Sequence, residues 1–92
     1  MLFDACISGN ENIVKYLVEH GTDVNKQTND GLTPPFYACD EGHEKIIKYL
    51  VEHGADVNKK DDDDRTPLFD PCTNGNENIV KYLVEYGADV NK

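Results

Sequence analysis

The sequence predicts an all-α repeat solenoid, and three observations support this fold class. Closely similar segments recur at a spacing of 33 residues, beginning at Gly9, Gly42 and Gly75. Within each segment the apolar residues follow a helical period, and proline or glycine marks the expected helix ends. A fixed period of this length is typical of stacked helical units that bury their apolar faces against their neighbours.

Each unit is predicted to open with a short helix after a Thr-Pro pair. The segment TPPFYAC from Thr33 recurs as TPLFDPC from Thr66. Thr66 can cap the helix, and Pro67 suits the first helical position because proline has a helical φ and no N–H that needs a partner there. Pro71 lies near the fifth helical position, where it removes a backbone hydrogen bond. The first helix of the third unit is therefore predicted to be the weakest.

The second helix of each unit is predicted to be amphipathic. In the third unit Asn76 can cap it, and Gly87 can close it in the left-handed conformation. Its apolar positions form a single stripe, with Tyr82 at the edge, at Ile79, Val80, Leu83 and Val84. Charged residues at i,i+4 spacing predict a solvated outer face, as at Glu77, Lys81 and Glu85.

These motifs, taken in order, resemble those of ankyrin repeat proteins. TPL, a Gly-His/Asn-Glu start, IVKYLVE and GADVN follow the family pattern, and the resemblance covers essentially all 92 residues. It implies stacked antiparallel helix pairs, with β-hairpin finger loops that form a concave face. It also implies a single ankyrin repeat domain over 1–92, with repeats at 1–31 (lacking its opening turn), 32–64 and 65–92.

One departure from the family pattern affects the first helices. Phe3, Phe36 and Phe69 stand where the family usually has histidine. We therefore expect apolar packing to replace the usual polar contact between that histidine and the Thr-Pro turn.

Composition restricts the classes of partner and compartment. Nine Lys and Arg against 18 Asp and Glu give a net charge of −9, which repels nucleic acid and anionic membranes and favours basic proteins or peptides. No stretch approaches the roughly 20 apolar residues of a membrane span. Three cysteines, an odd number, suggest a reducing compartment. We expect an intracellular, cytoplasmic protein.

The cysteines and histidines do not form a recognisable reactive site in the sequence. Cys6, Cys39 and Cys72 occupy equivalent positions, which stacking would place about 8–10 Å apart, whereas a disulfide needs Cα atoms within about 7 Å. They are predicted to be small buried helix residues. The sequence has no glycine-rich phosphate loop and no H-E-x-x-H motif. We expect no enzymatic activity, no cofactor and no metal.

The acidic run from Asp61 to Asp64 aligns with TNDG at 28–31, which places it at the tip of the second finger. A solvated turn is one interpretation, and a contribution to the binding site of a basic partner is another. A tight calcium site would need about six to eight convergent oxygens, and the required spacing is not present. Asp64 replaces Gly31, so a positive φ is predicted for Asp64.

A second candidate site is the column Asp4, Tyr37 and Asp70 at the variable position of the inner helices. The two carboxylates can simply favour helix N-termini, or the column can contact a partner, with Tyr37 as an aromatic anchor. The full set of predicted partner-binding residues is Asp4, Tyr37, Asp70, Asp61, Asp62, Asp63, Asp64 and Arg65.

The function predicted from these features is a noncatalytic protein–protein interaction scaffold that binds a basic protein or peptide. The alternative is a structural or engineered, consensus-like repeat fragment with no evolved ligand, which acts only by stacking or self-association. The near-identity of the repeats favours this alternative. The chain is predicted either to be cut from a longer array or to associate end to end, burying Leu2, Ile13 and Leu17 on one side or Ile79 and Leu83 on the other.

Overall fold

The computed structural model describes residues 2–67 and 75–87. Five helices lie in this part of the chain, namely α1 (Leu2–Ser8), α2 (Glu11–Glu19), α3 (Pro34–Glu41), α4 (Glu44–Glu52) and α5 (Glu77–Glu85). The first helices α1 and α3 pack on each other, and each packs on the second helix of its own repeat. The second helices α2 and α4 also contact each other. The chain is thus a helical repeat in which successive helix pairs lie side by side.

Asparagine side chains begin two of the second helices. The Oδ1 atoms of Asn10 and Asn76 accept hydrogen bonds from the backbone N–H groups of Ile13 at 3.2 Å and Ile79 at 3.3 Å. The predicted Asn76 cap is therefore confirmed. His43 has the equivalent position before α4 but makes no side-chain capping bond.

The Thr-Pro pair begins α3 without a side-chain cap. Thr33 has extended backbone angles before α3, and Pro34 is the first helical residue, but the Thr33 side chain caps no backbone N–H. Its Oγ1 atom is buried and has no hydrogen-bond partner. Phe36, which replaces the usual histidine, is buried and has no polar group to offer. Thr33 and Pro34 thus occupy the N-cap and first helical positions expected for this motif, but without a capping hydrogen bond. The cap predicted at Thr66 concerns a helix outside the described residues.

Several predictions concern the first helix of the third repeat. Thr66 and Pro67 are buried and are the last described residues before the predicted position of this helix. The predictions for Phe69, Pro71 and Cys72 lie outside the described residues, as does that for Asp70.

The core is a continuous apolar cluster between the helix layers. Its largest fully buried aliphatic side chains are Val14, Ile46, Ile47, Leu50, Ile79 and Leu83. Cys6 and Cys39 are also buried, as predicted for small helix positions. The α5 stripe is less uniform than expected, because Val84 is 42% exposed.

The burial of single residues corrects part of the end-to-end prediction. Leu2, Ile79 and Leu83 are already buried within the chain, at 4%, 1% and 0% exposure. These three residues therefore need no second molecule to cover them, and that part of the prediction is wrong. Ile13 remains 44% exposed, and Leu17 is half-buried.

The finger segments are closed turns. The Thr28 N–H donates to the Leu32 carbonyl at 2.8 Å, and the Asp61 N–H donates to the Arg65 carbonyl at 2.9 Å. The Asp62 N–H joins the two fingers by donating to the Asp30 carbonyl at 2.9 Å. Each turn has too few paired residues for a strand, and residues 2–67 and 75–87 contain none. The predicted β-hairpin fingers are therefore not confirmed.

Asparagine amides connect the loops that follow the second helices. The Asn25 Nδ2 group donates to the Gly54 carbonyl at 3.1 Å, and the Asp56 N–H donates to Asn25 Oδ1 at 2.6 Å. One repeat later, the Asn58 Nδ2 group donates to the Gly87 carbonyl at 2.9 Å. We call these contacts the asparagine ladder.

Tyrosines connect the second helices in the same periodic way. The Tyr49 hydroxyl lies 3.5 Å from the Lys15 carbonyl, and the Tyr82 hydroxyl lies 3.4 Å from the Lys48 carbonyl. We call these contacts the tyrosine ladder. The i,i+4 charge pairing predicted for the outer face is seen between Lys15 and Glu11, at 3.0 Å.

Candidate functional site

The candidate site is the inner surface, which we define as helices α1 and α3 with the finger turns at 28–31 and 61–64. An aromatic pair occupies the first turns of its two helices. The rings of Phe3 and Tyr37 meet edge to face, with centroids 5.4 Å apart and planes at 63°. This geometry is favourable because the positive ring edge meets the negative ring face. Both side chains are half-buried, so part of each remains accessible to a partner.

A groove of about 230 Å³ lies beside the aromatic pair. It is formed between α1 and the loop that leads into the first finger, and its walls are Leu2, Phe3, Thr22, Asp23, Lys26 and Pro34. The mixture of apolar and charged side chains suits an amphipathic peptide side chain better than a purely apolar one.

The predicted column is only partly described. Asp4 is exposed on α1, and Tyr37 packs against Phe3 at the equivalent position of α3. Asp4 borders a different cavity, of about 330 Å³, with Ala5, Ser8 and Ile13. Asp4 and Tyr37 thus share a register position, but Asp4 lines this second cavity whereas Tyr37 packs on Phe3.

The acidic run is not a uniform solvated turn. Asp61 is buried, with 2% of its side chain exposed. Its Oδ1 accepts backbone hydrogen bonds from Arg65 at 2.8 Å and Asp63 at 2.9 Å. Its Oδ2 accepts a hydrogen bond from the Arg65 Nε at 2.9 Å, and the Arg65 Nη2 lies 2.9 Å from the same oxygen. Asp61 therefore holds the turn together, which corrects the interpretation of all four aspartates as exposed.

The pKa of Asp61 reflects these contacts. Burial by itself raises the pKa of a carboxyl group, because it disfavours the charged form. Here the hydrogen bonds from Arg65 and Asp63, together with the Arg65 charge, outweigh burial and lower the pKa of Asp61. The ionised carboxylate is thus a fixed part of the finger and is not available to a partner.

The other three aspartates are exposed, as predicted. Asp64 has a φ of 62°, which confirms the prediction drawn from its alignment with Gly31. Asp63 lies 3.4 Å from the Arg65 NH2 nitrogen while its own side chain is 78% exposed. Arg65 also lies over the Phe36 ring, with its Cζ 5.6 Å from the centroid. The second finger thus exposes the carboxylates at positions 62–64. The Arg65 guanidinium already contacts Asp61 and the Phe36 ring.

The alignment of the repeats with one another indicates the role of Asp61. Asp61 stands where the first finger has Thr28, and the Thr28 Oγ1 accepts a hydrogen bond from the Leu32 N–H at 3.1 Å. Arg65 aligns with Leu32, so the Asp61 bond to the Arg65 N–H is the same contact made with a stronger acceptor. The four aspartates look equivalent by composition alone, and only the alignment of Asp61 with Thr28 distinguishes Asp61 from the other three.

Other polar groups in the described residues make structural contacts. The Nδ1 atoms of His20 and His53 hydrogen-bond the Tyr16 carbonyl at 2.7 Å and the Tyr49 carbonyl at 2.8 Å. Burial raises the pKa of the Cys6 thiol to about 12, so the reactive thiolate form is disfavoured.

Neither a metal-ligand cluster nor a membrane-spanning helix is present in residues 2–67 and 75–87. Within these ranges no group of three or more histidine, cysteine, aspartate or glutamate side chains could hold a metal ion. No helix in the same ranges is long and apolar enough to span a bilayer.

Comparison with known proteins gives one positive result. A family model of ankyrin repeats, in three copies, matches residues 2–92. A search of curated proteins finds no match to the sequence.

Proposed function

Because this chain belongs to the ankyrin repeat family, whose members generally mediate protein–protein interaction, we propose that it is a noncatalytic scaffold for a basic protein or peptide. The proposed binding surface is concave and consists of the inner helices and the finger turns. The observation that carries this proposal is the half-exposed pair of Phe3 and Tyr37 beside an open groove. Rigid aromatic side chains of this kind are common anchors in protein interfaces.

The charge of the inner surface supports a basic partner. Asp62, Asp63 and Asp64 are exposed on the second finger, and Asp4 is exposed on α1. The chain as a whole has a net charge of −9. Complementary charge of this kind mainly raises the association rate and the specificity of binding.

The proposed contact residues are fewer than those predicted from the sequence. Asp61 leaves the set, because its carboxylate is buried and accepts hydrogen bonds from Arg65 and Asp63. Arg65 supports the turn through its hydrogen bond to Asp61, and its guanidinium lies over the Phe36 ring. Asp70 remains a predicted contact by its alignment with Asp4 and Tyr37. The single repeat domain over 1–92 and a cytoplasmic location remain predictions as well.

The test is a peptide-binding assay with matched variants. Lysine- and arginine-rich peptides that contain one aromatic or aliphatic residue are screened against the chain by fluorescence anisotropy, beside acidic peptides of equal length. Tyr37→Ala is expected to weaken the best basic peptide by about tenfold or more. Asp62→Lys with Asp63→Lys is expected to lower the association rate and flatten its salt dependence.

The control for Tyr37 is Tyr86→Ala, which removes an exposed tyrosine at the end of α5. It is expected to leave peptide affinity unchanged. Equal losses in Tyr86→Ala and Tyr37→Ala would contradict the inner surface as the binding site. If acidic peptides bound as well as basic ones, the proposed chemistry of the partner would be wrong.

A further inference from the structure

Ile13 is exposed where its equivalents in the other repeats are buried. Ile13 in α2 is 44% exposed, whereas Ile46 in α4 is 2% exposed and Ile79 in α5 is 1% exposed. The contact between α2 and α4 shows how a preceding repeat lies beside this position. The face of α2 directed away from α4 is therefore an uncovered copy of a surface that is covered elsewhere in the chain.

The tyrosine ladder shows the same difference. Tyr49 and Tyr82 are half-buried against Lys15 and Lys48, whose ammonium groups lie 5.9 Å and 5.6 Å from the ring centroids. Tyr16 has the same place in α2 and is 59% exposed. A cavity of about 330 Å³, which Ile13 helps to line, opens near this helix.

The complementary surface lies on α5. Val80 is half-buried, although Val14 and Ile47 at the equivalent positions are 0% and 1% exposed. Val84 is 42% exposed, while its equivalents in α2 and α4 are half-buried. The aliphatic residues that α2 and α4 cover are thus more accessible on α5.

The two helices have the same sequence, which makes these surfaces compatible. Both α2 and α5 read ENIVKYLVE. α5 therefore offers a further helix the residues that α2 offers to α4. In turn, Ile13 and Tyr16 of α2 are equivalent to Ile79 and Tyr82 of α5. These are the residues with which α5 packs against the repeat that precedes it.

We propose that the chain self-associates head to tail, with α2 of one copy bound to α5 of a second copy. In this interface Ile13 and Val84 become buried, and the Tyr16 hydroxyl donates to the Lys81 carbonyl, which continues the tyrosine ladder. The surfaces are different, so the contact is heterologous and each added copy leaves another free end. The net charge of −9 opposes association, and salt promotes it by screening.

Sedimentation velocity from micromolar to millimolar concentration, at low and high salt, tests this interface. The average mass of the 92-residue chain is expected to rise with concentration and with salt. Ile13→Glu blocks one face and Val84→Glu blocks the other, so each variant alone is expected to be monomeric. An equimolar mixture is expected to form a dimer that does not grow, because each variant retains one intact face.

Two further variants refine the test. Ile7→Asp is the control, because Ile7 is 42% exposed and its equivalent in the second repeat is Asp40; it is expected to associate like the unmodified chain. Tyr16→Phe removes only the hydroxyl and is expected to weaken association by about threefold to tenfold. Circular dichroism melting verifies that every variant is folded.

Two results would overturn the proposal. One is an unmodified chain that stays monomeric at the highest concentration and salt. The other is a mixture of the two blocked variants that stays monomeric although the unmodified chain associates, since the copies would then meet through another surface.

Discussion

At the scale of single residues, the largest departure from expectation is at Asp61. The four consecutive aspartates have identical side chains. Only Asp61 turns inward, where it accepts hydrogen bonds from Arg65 and Asp63. The backbone path of the turn decides which carboxylate is enclosed. Local composition could not reveal that choice, although the positive φ of Asp64 followed directly from the alignment with Gly31.

Replacing Asp61 should therefore destabilise the protein. Asp61→Ala is expected to lower the free energy of unfolding by about 2 kcal/mol, because the turn loses charge-assisted hydrogen bonds. Asp61→Thr should lose less, since Thr28 makes the equivalent backbone contact in the first finger. Urea denaturation measures both variants. An effect of Asp61→Ala no larger than that of Asp62→Ala would contradict this structural role.

The lowered pKa of Asp61 also predicts a pH dependence. A carboxyl group whose folded-state pKa is depressed contributes stability that is complete above its unfolded pKa. That contribution is lost as the pH falls below about 3.8 and through the lower folded-state pKa. The stability difference between the unmodified chain and Asp61→Asn should therefore shrink in acid. A difference that is constant from neutral pH to the acid limit of the folded state would be inconsistent with this linkage.

Thr33 allows the opposite prediction, a stabilising substitution. Its buried hydroxyl has no partner, so Thr33→Val removes an unsatisfied polar group at nearly constant shape. The free energy of unfolding is expected to rise by about 1 kcal/mol. Thr28→Val is the matched control and should be destabilising, because the Thr28 hydroxyl accepts the Leu32 N–H. Thermal and urea unfolding of both variants measure the two signs.

At the scale of helices, the sequence predicted much of the architecture. The 33-residue period and the apolar stripe located the second helices, and Asn76 marked the start of α5. The Thr-Pro motif located the start of α3 correctly, but the Thr33 side chain makes no capping hydrogen bond there. The helical period contains no information about such a side-chain contact.

The connection between α1 and α2 depends on Gly9. Its φ of 80° disfavours other residues, and a Cβ atom there would lie 2.7 Å from the His43 ring. His43 is held in place by a 3.1 Å contact between its Nε2 and the Ile7 carbonyl. The absence of a side chain at Gly9 therefore leaves room for the His43 ring of the second repeat.

Gly9→Ala should cost more stability than Gly21→Ala. Gly21 also has a positive φ, of 93°, but a Cβ atom there meets nothing within 4 Å. Adding His43→Ala should recover part of the loss in Gly9→Ala, with a coupling energy of about 1 kcal/mol in a double-mutant cycle. Urea unfolding of the four chains supplies this energy. Strict additivity would argue against the contact with the ring.

At the scale of the whole molecule, periodic polar contacts supplement the apolar core. The asparagine ladder and the tyrosine ladder repeat the same bonds at successive junctions. Similar repeats therefore bind one another in similar ways. The net charge of −9 opposes the compact folded state, because like charges repel one another.

Cys6 provides a probe of opening of the whole molecule. Its thiol is 0% exposed and its pKa is raised to about 12 by burial. Alkylation by iodoacetamide near neutral pH should therefore proceed only through opened states and accelerate in urea. Mass spectrometry of the Cys6 peptide follows this one thiol. Rapid labelling at a rate independent of urea would show that the helix pair does not protect it.

The asparagine ladder has a mechanical consequence. Asn25 reaches Gly54 and Asn58 reaches Gly87, so each amide ties a loop to the corresponding loop of the next repeat. When tension is applied between the chain ends, these ties are loaded one after another. A molecule built in this way should yield in steps, and each step releases 33 residues of contour, a length on the order of 110 Å. The protein would then lengthen under load one repeat at a time, in steps of similar size.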